Sequence, residues 1–302
     1  MDRKRLQGHL LALFSVLMWS TTFISTKILQ ESFSSIEILF IRFAFGYLIL
    51  FLLRPRMLAF EGWRREGLYM LAAASGIFLY YYMENVALEH TMAGNVSVLV
   101  STAPFFIALV YKLFRPRETK LGLFFTLGFV VTFIGLVLIA FPAGSGFSLN
   151  PMGDGIALAA SIIWGFYSYF VDRIALFGHD VIMTTRRTFF YGLIFMIPVL
   201  MVEGFSISLE EMCDPVNLMN LFFLGLGASA LCFVAWAGAI GRIGAVVSGQ
   251  YIYIIPAFTL VFSFLILGER ITLQSALGAL LVMAGLFVSN IRKESCAKIS
   301  QS

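Results

Sequence analysis

Apolar residues fill this chain in long unbroken runs separated by short polar or charged stretches, and the length of those runs decides the fold class. A helix needs about 20 apolar residues to cross the hydrocarbon core of a bilayer. Ten segments meet that template: 10–28, 35–53, 67–88, 92–112, 120–141, 153–171, 181–202, 217–240, 245–267 and 273–291. Transmembrane strands alternate apolar and polar positions, and runs such as Phe129 to Ala140 do not. The pattern predicts an all-α integral membrane protein of ten transmembrane helices with short connections.

The pattern also repeats. Trp19 and Trp164 lie 145 positions apart, and the same offset joins Arg42 to Arg187 and Phe45 to Phe190. Pro104 and Pro256 match at an offset of 152, and Gly128 and Gly135 match Gly278 and Gly285 at 150. Landmarks kept in one order predict a duplicated unit, with a first five-helix repeat over 1–147 and a second over 148–302.

Composition agrees with the bilayer: 60% of the residues are hydrophobic and 13% charged, too apolar for the surface of a soluble core. Arg3, Lys4 and Arg5 precede the first apolar run, which is too long for a signal peptide and has no small-residue cleavage site. Charge then sets orientation, because cytoplasmic loops accumulate Lys and Arg. With the amino terminus inside, 18 of the 21 basic residues fall on the cytoplasmic side, and only Lys27, Arg42 and Arg270 fall outside. Both termini are expected in the cytoplasm of a multi-pass cell-membrane protein. Since each repeat holds an odd number of spans, the second must be inverted relative to the first, the arrangement that suits alternating access. The net charge of +4 follows from the loop bias and calls for no nucleic-acid partner.

The residues that carry the repeats resemble a known family. Leu17-Met18-Trp19-Ser20-Thr21-Thr22-Phe23, Ile41-Arg42-Phe43-Ala44, Ala103-Pro104-Phe105 and Glu118 followed by Gly128 and Gly135 are answered by Ile163-Trp164-Gly165, Arg187, Ile255-Pro256-Ala257 and Gly268-Glu269-Arg270 with Gly278 and Gly285. This resembles the ten-span branch of the drug/metabolite transporter superfamily, built from two EamA-type repeats. The resemblance covers nearly the whole chain and implies export, less often uptake, of small metabolites such as amino acids, without a covalent cofactor. The second half departs after Trp164, where Phe166, Tyr167, Tyr169 and Phe170 replace small polar residues.

Candidate chemistry lies on those spans. Trp19 and Trp164 sit mid-span, where each indole N–H needs a partner; they are cavity walls or helix-packing residues. Pro104 and Pro256 each remove a backbone hydrogen bond, either as plain kinks or to expose backbone to a substrate. Gln250, Tyr251 and Tyr253 before Pro256, and Asn95, Ser97, Ser101 and Thr102 before Pro104, supply donors and acceptors. Arg42 and Arg187 are buried at a cost on insertion scales, and either attract a substrate carboxylate at the two mouths or pair with an acid. Glu84, after Tyr80, Tyr81 and Tyr82, carries a coupling proton, binds an amine, or is a hydrated interfacial acid. Its match in the second half is Trp236, and it is at Glu84, Tyr167 and Tyr169 that substrate choice is expected to be written. Glu118 and Glu269 suit helix amino termini, and 54–66 suits an anchor to the anionic inner leaflet.

Three histidines at span ends and no mid-membrane acid pair speak against an intramembrane enzyme. Cys213, Cys232 and Cys296 lack metal-ligand spacing, and no phosphate-binding Gly-rich loop is present. The expected function is secondary transport, in the export direction or alternatively import. The partners are a small-molecule substrate, the lipid bilayer and a proton or sodium gradient, with the protein a monomer or homodimer and no catalytic residue, metal or cofactor.

Overall fold

The structure, a computed structural model, describes residues 3–91, 93–116, 122–140, 150–206, 208–267 and 273–290. Helices occupy all ten predicted positions and no strand occurs among the described residues. Five of the helices are individually long and apolar enough to cross a membrane: Arg3–Leu29, Ser35–Leu53, Pro151–Ala175, Val181–Glu203 and Pro215–Ile243. The expected anchor, 54–66, has no regular secondary structure over 54–62 and then enters the helix that opens the third span at the exposed Trp63. A short helix the hydrophobic pattern does not announce, Leu209–Cys213, lies in the connection before the eighth span.

Local chemistry explains where the spans begin. Ser34 accepts from the backbone of Glu37 while the Glu37 carboxylate accepts from the Ser34 backbone, a capping box that satisfies two otherwise unpaired donors. Asn150, Asp180 and Asp214 cap the sixth, seventh and eighth spans, and Pro151 and Pro215 take first-turn positions where no N–H is needed.

Five spans are interrupted, and the interruptions follow the repeat. The third and eighth spans each carry a π-helical stretch, at Ala73–Leu79 and Phe223–Leu231. The fourth span breaks at Ser101 and Thr102, and the ninth runs through a 3-10 stretch, Gln250–Ile254. Only the first span lacks an interrupted counterpart: it breaks at Ser20 and Thr21, whereas the sixth is one helix of 25 residues. The hydroxyls of Ser20, Thr21 and Thr22 bond back to the carbonyls of Val16, Met18 and Trp19, which loosens the helix. The sixth span has Gly165, Phe166 and Tyr167 there, with no hydroxyl close enough to the backbone to compete.

The two halves interdigitate. First packs on eighth and third on sixth, second crosses seventh, and fifth pairs with tenth along its length, so each contact has its mate under the repeat. Matched glycines make the last pairing close. A Cβ on Gly135 would stand 2.6 Å from the Gly278 carbonyl oxygen, and one on Gly285 would stand 2.6 Å from that of Gly128, the small-residue contact that lets membrane helices touch backbone to backbone.

Candidate functional site

Where the interrupted spans cross, their side chains enclose a chamber. Trp19, Thr22 and Phe23 of the first span line it with Tyr80, Tyr81 and Glu84 of the third, Val100 and Ala103 of the fourth, Trp164 of the sixth, and Ile252 and Ile255 of the ninth. Its free volume is about 20 Å³, room for one water. Both tryptophans reach it from equivalent positions, Trp164 stacking obliquely on Tyr80 at 4.5 Å and on Tyr167 at 4.7 Å between centroids. Thr22, Ala103 and Ile255 are the first residues of the α-helical segments that follow the three interruptions.

The two indoles differ in their hydrogen bonds. Trp19 Nε1 donates to the Ala228 carbonyl at 3.0 Å, a group inside the π-helical stretch of the eighth span, whereas Trp164 Nε1 has no partner among the described residues. Among the described residues, Glu84 is the one charged side chain in the lining, and it is 4% exposed. Directly behind Tyr81 lies Arg42, fully buried, its guanidinium 4.5 Å from the Tyr81 ring centroid and its Nε donating to Ser229 Oγ at 3.0 Å. Arg42 Nη1 and Nη2 have no hydrogen-bond partner among the described residues.

Several expectations are corrected by these positions. Arg42 is not at an external mouth but in the aromatic core, because a second-span residue facing the bundle meets Phe43, Tyr81 and the eighth span. Arg187 takes the second of its two alternatives and pairs with an acid: it makes a 2.6 Å ion pair with buried Glu66 and donates to the Ala59 carbonyl, which neutralises its charge. Pro104 and Pro256 do not kink continuous helices. Pro104 takes a first-turn position of the helix Ala103–Phe114, where a missing N–H leaves nothing unsatisfied, and Pro256 stands where the 3-10 stretch Gln250–Ile254 passes into the α-helix Ile255–Leu267.

The ninth-span trio does not converge on the chamber either. The 3-10 turn presents Ile252 to it, while Tyr251 bonds His9 Nδ1 at 2.8 Å, and Gln250 and Tyr253 are buried outside the lining. Tyr167 lines a neighbouring space of about 20 Å³ with Thr184, Thr185, Thr188, Phe189 and Phe233. Trp236, the counterpart of Glu84, is fully buried against Trp19 at 5.2 Å. Tyr169 stacks on Phe114, away from the chamber. The side chain of Asn95, Glu118 and Glu269 lie outside the described residues. Tyr80, Thr22, Phe23, Phe233 and Ser229 were not singled out by the sequence, although Tyr80 and Thr22 sit within stretches that were.

Hydrogen bonds between spans lie outside the chamber lining. On one side Lys27 Nζ donates to the Leu88 carbonyl at 2.8 Å, Gln30 to that of Asn85 at 2.9 Å and Asn85 to that of Ser35 at 3.2 Å. On the other, Arg186 grips the carbonyls of Arg54 and Arg56, and Tyr191 donates to Glu66 at 2.6 Å. Nearby, Glu61 binds Arg65 and His179; the Arg65 hydrogen bond first, then His179, hold its carboxyl below the ordinary value.

The sequence matches the EamA-like transporter family twice, over residues 6–141 and 151–291. The chain belongs to the EamA-like transporter family. It is 27% identical over 300 residues to an "Uncharacterized transporter" of Archaeoglobus fulgidus, covering 94% of this chain and 98% of that one. It is 28% identical over 225 residues to a "Probable terminal-alkyne amino-acid exporter" of Streptantibioticus cattleyicolor, covering 74% and 72%. A solved crystal structure superposes with a TM-score of 0.77 at 18% identity, over 96% of this chain and 98% of that one, a likeness of fold. As an EamA-like protein the chain is a multi-pass membrane transporter and not an enzyme.

Proposed function

We propose that this EamA-like transporter moves a small amphipathic metabolite, an amino acid or related compound, out of the cell by alternating access. The carrying observation is the small chamber where spans of the two halves meet, with Trp19 and Trp164 in its wall at equivalent positions. A site on a pseudo-two-fold axis can open to either side when the halves exchange conformations. Five aromatic side chains line it, which suits an apolar or aromatic body, and Glu84 supplies a polar contact. The relative named as an amino-acid exporter supports the choice of substrate and direction.

In this reading the halves are 1–147 and 148–302, both termini are cytoplasmic, and export runs down the substrate's own gradient, with a proton or sodium gradient as an optional drive. Proteoliposomes loaded with a labelled amino-acid mixture test it. Release should exceed that from empty vesicles and should saturate, and a Trp19→Ala, Trp164→Ala double variant should lose it. Equal release from empty and protein-bearing vesicles would refute the reading, and accumulation by intact cells would reverse its direction.

A further inference from the structure

The chamber and the core behind it hold groups of both signs, and among the described residues the buried donors lack partners. On the donor side, Arg42 Nη1 and Nη2 and Trp164 Nε1 are buried without acceptors, although buried donors are nearly always paired. On the acceptor side, Glu84 faces the chamber among aromatic rings, an environment that receives an ammonium group well. Arg42 and Glu84 act on each other electrostatically, yet no ion pair within 4.0 Å joins them.

We infer that Arg42 and Glu84 form a clamp for a zwitterion, the substrate carboxylate meeting Arg42 and Trp164 and its ammonium meeting Glu84. This rests on the transport reading above and deepens it. The argument is one of charge balance. The buried Arg42 guanidinium and the ionised form of the Glu84 carboxyl, held apart, make a site of zero net charge in a medium that penalises uncompensated charge. A compound carrying both charges a short distance apart fills the gap and leaves the balance at zero, whereas an amine or a carboxylate alone adds one unpaired charge. Tyr81 is the partition: it lines the chamber on one side and carries the Arg42 guanidinium on the other. The closed volume admits only a water, so a substrate must displace rings to enter, and displacing Tyr81 is what joins the chamber to Arg42.

The test reads selectivity, which a purely structural role would not redirect. The full-length protein in nanodiscs is screened by thermal shift against the common amino acids, each with its decarboxylated amine and its deaminated acid. The wild type should bind at least one amino acid about tenfold or more tightly than either of its singly charged counterparts. For that trio, Arg42→Met should shift preference to the amine and Glu84→Gln to the carboxylic acid. Arg42→Lys, which keeps the charge and loses the fork, should retain the order of preference with weaker binding, and carries the test if Arg42→Met is not monodisperse. Variants that lose all three ligands alike, or keep the wild-type order in both neutralised forms, overturn the clamp while leaving amino-acid transport standing. If the wild type binds no amino acid, the clamp is overturned together with the choice of substrate.

Discussion

Trp19 and Trp164, 145 positions apart in the chain, stand edge to face with 5.5 Å between ring centroids, yet among the described residues only the Trp19 indole finds a hydrogen-bond partner. Removing each N–H should therefore have different effects. Trp19→Phe strands the Ala228 carbonyl in a π-helical stretch, a loss of about 1–2 kcal/mol, and should lower the melting temperature in detergent. Trp164→Phe breaks no internal bond, so it should keep stability and lose transport. The pair of melting curves with matched uptake assays checks both outcomes.

The ion pair between Arg187 and Glu66 gives a second contrast. Glu66 is 1% exposed and also accepts from Tyr191, so Arg187→Ala leaves a buried carboxylate with its counter-charge removed. The cost of breaking such a pair is about 3 kcal/mol, reduced to the extent that Arg187 is partly exposed. Glu66→Gln combined with Arg187→Ala should recover most of the loss, and denaturation of the single and double variants measures that recovery.

Most of the fold was legible in the sequence, because the hydrocarbon core forces helices and fixes their length. The ten spans, and the glycines at 128, 135, 278 and 285, could be read from run length and repeat alone. The interruptions could not. A π-helical stretch such as Ala73–Leu79 has the same apolar composition as an ordinary span, and only its packing against neighbouring helices distinguishes it. The site was half legible: Trp19, Trp164 and Glu84 line the chamber, while Arg187 and Tyr251 found partners elsewhere, in Glu66 and His9. A sequence shows that a buried charge needs a counterpart, but not which one the fold delivers.

The glycine contact between the fifth and tenth spans should be intolerant of bulk. Gly135→Ala places its Cβ 2.6 Å from a backbone oxygen that cannot swing away, so the helices must separate and lose contact along their length. The expected result is a marked drop in melting temperature and in the monodisperse fraction. Gly122→Ala, where nothing lies within 4 Å, is the control and should be neutral.

Acid should loosen the 54–66 segment. Glu61 is held below its ordinary value by Arg65 and then His179, so its contribution is present above the carboxyl's unperturbed value and is lost as pH falls through the lowered one. Hydrogen exchange across the segment should quicken over that acidic window, and Glu61→Gln should remove this pH dependence.

Gly76 and Tyr167 are closely fitted behind Trp164, a residue of the chamber wall. Gly76 lies in the π-helical stretch of the third span, and a Cβ there would fall 2.0 Å from Tyr167 Cδ2. The clash involves the base of a ring buried against Trp164 and Phe233, so it is not relieved by moving a flexible tip. Gly76→Ala should push Tyr167 off Trp164, disturb the wall on the sixth-span side, and cost about 1–3 kcal/mol as overpacking does. Shortening the ring residue supplies the missing space, so Gly76→Ala with Tyr167→Leu should regain stability relative to Gly76→Ala alone. If the second change adds a further loss instead, the two residues are not in the contact described. Transport by the double variant separates packing from function: a Tyr167 that only fills space leaves rates restored along with stability, whereas a Tyr167 that gates the threonine-lined space beyond it leaves a stable protein with altered rates.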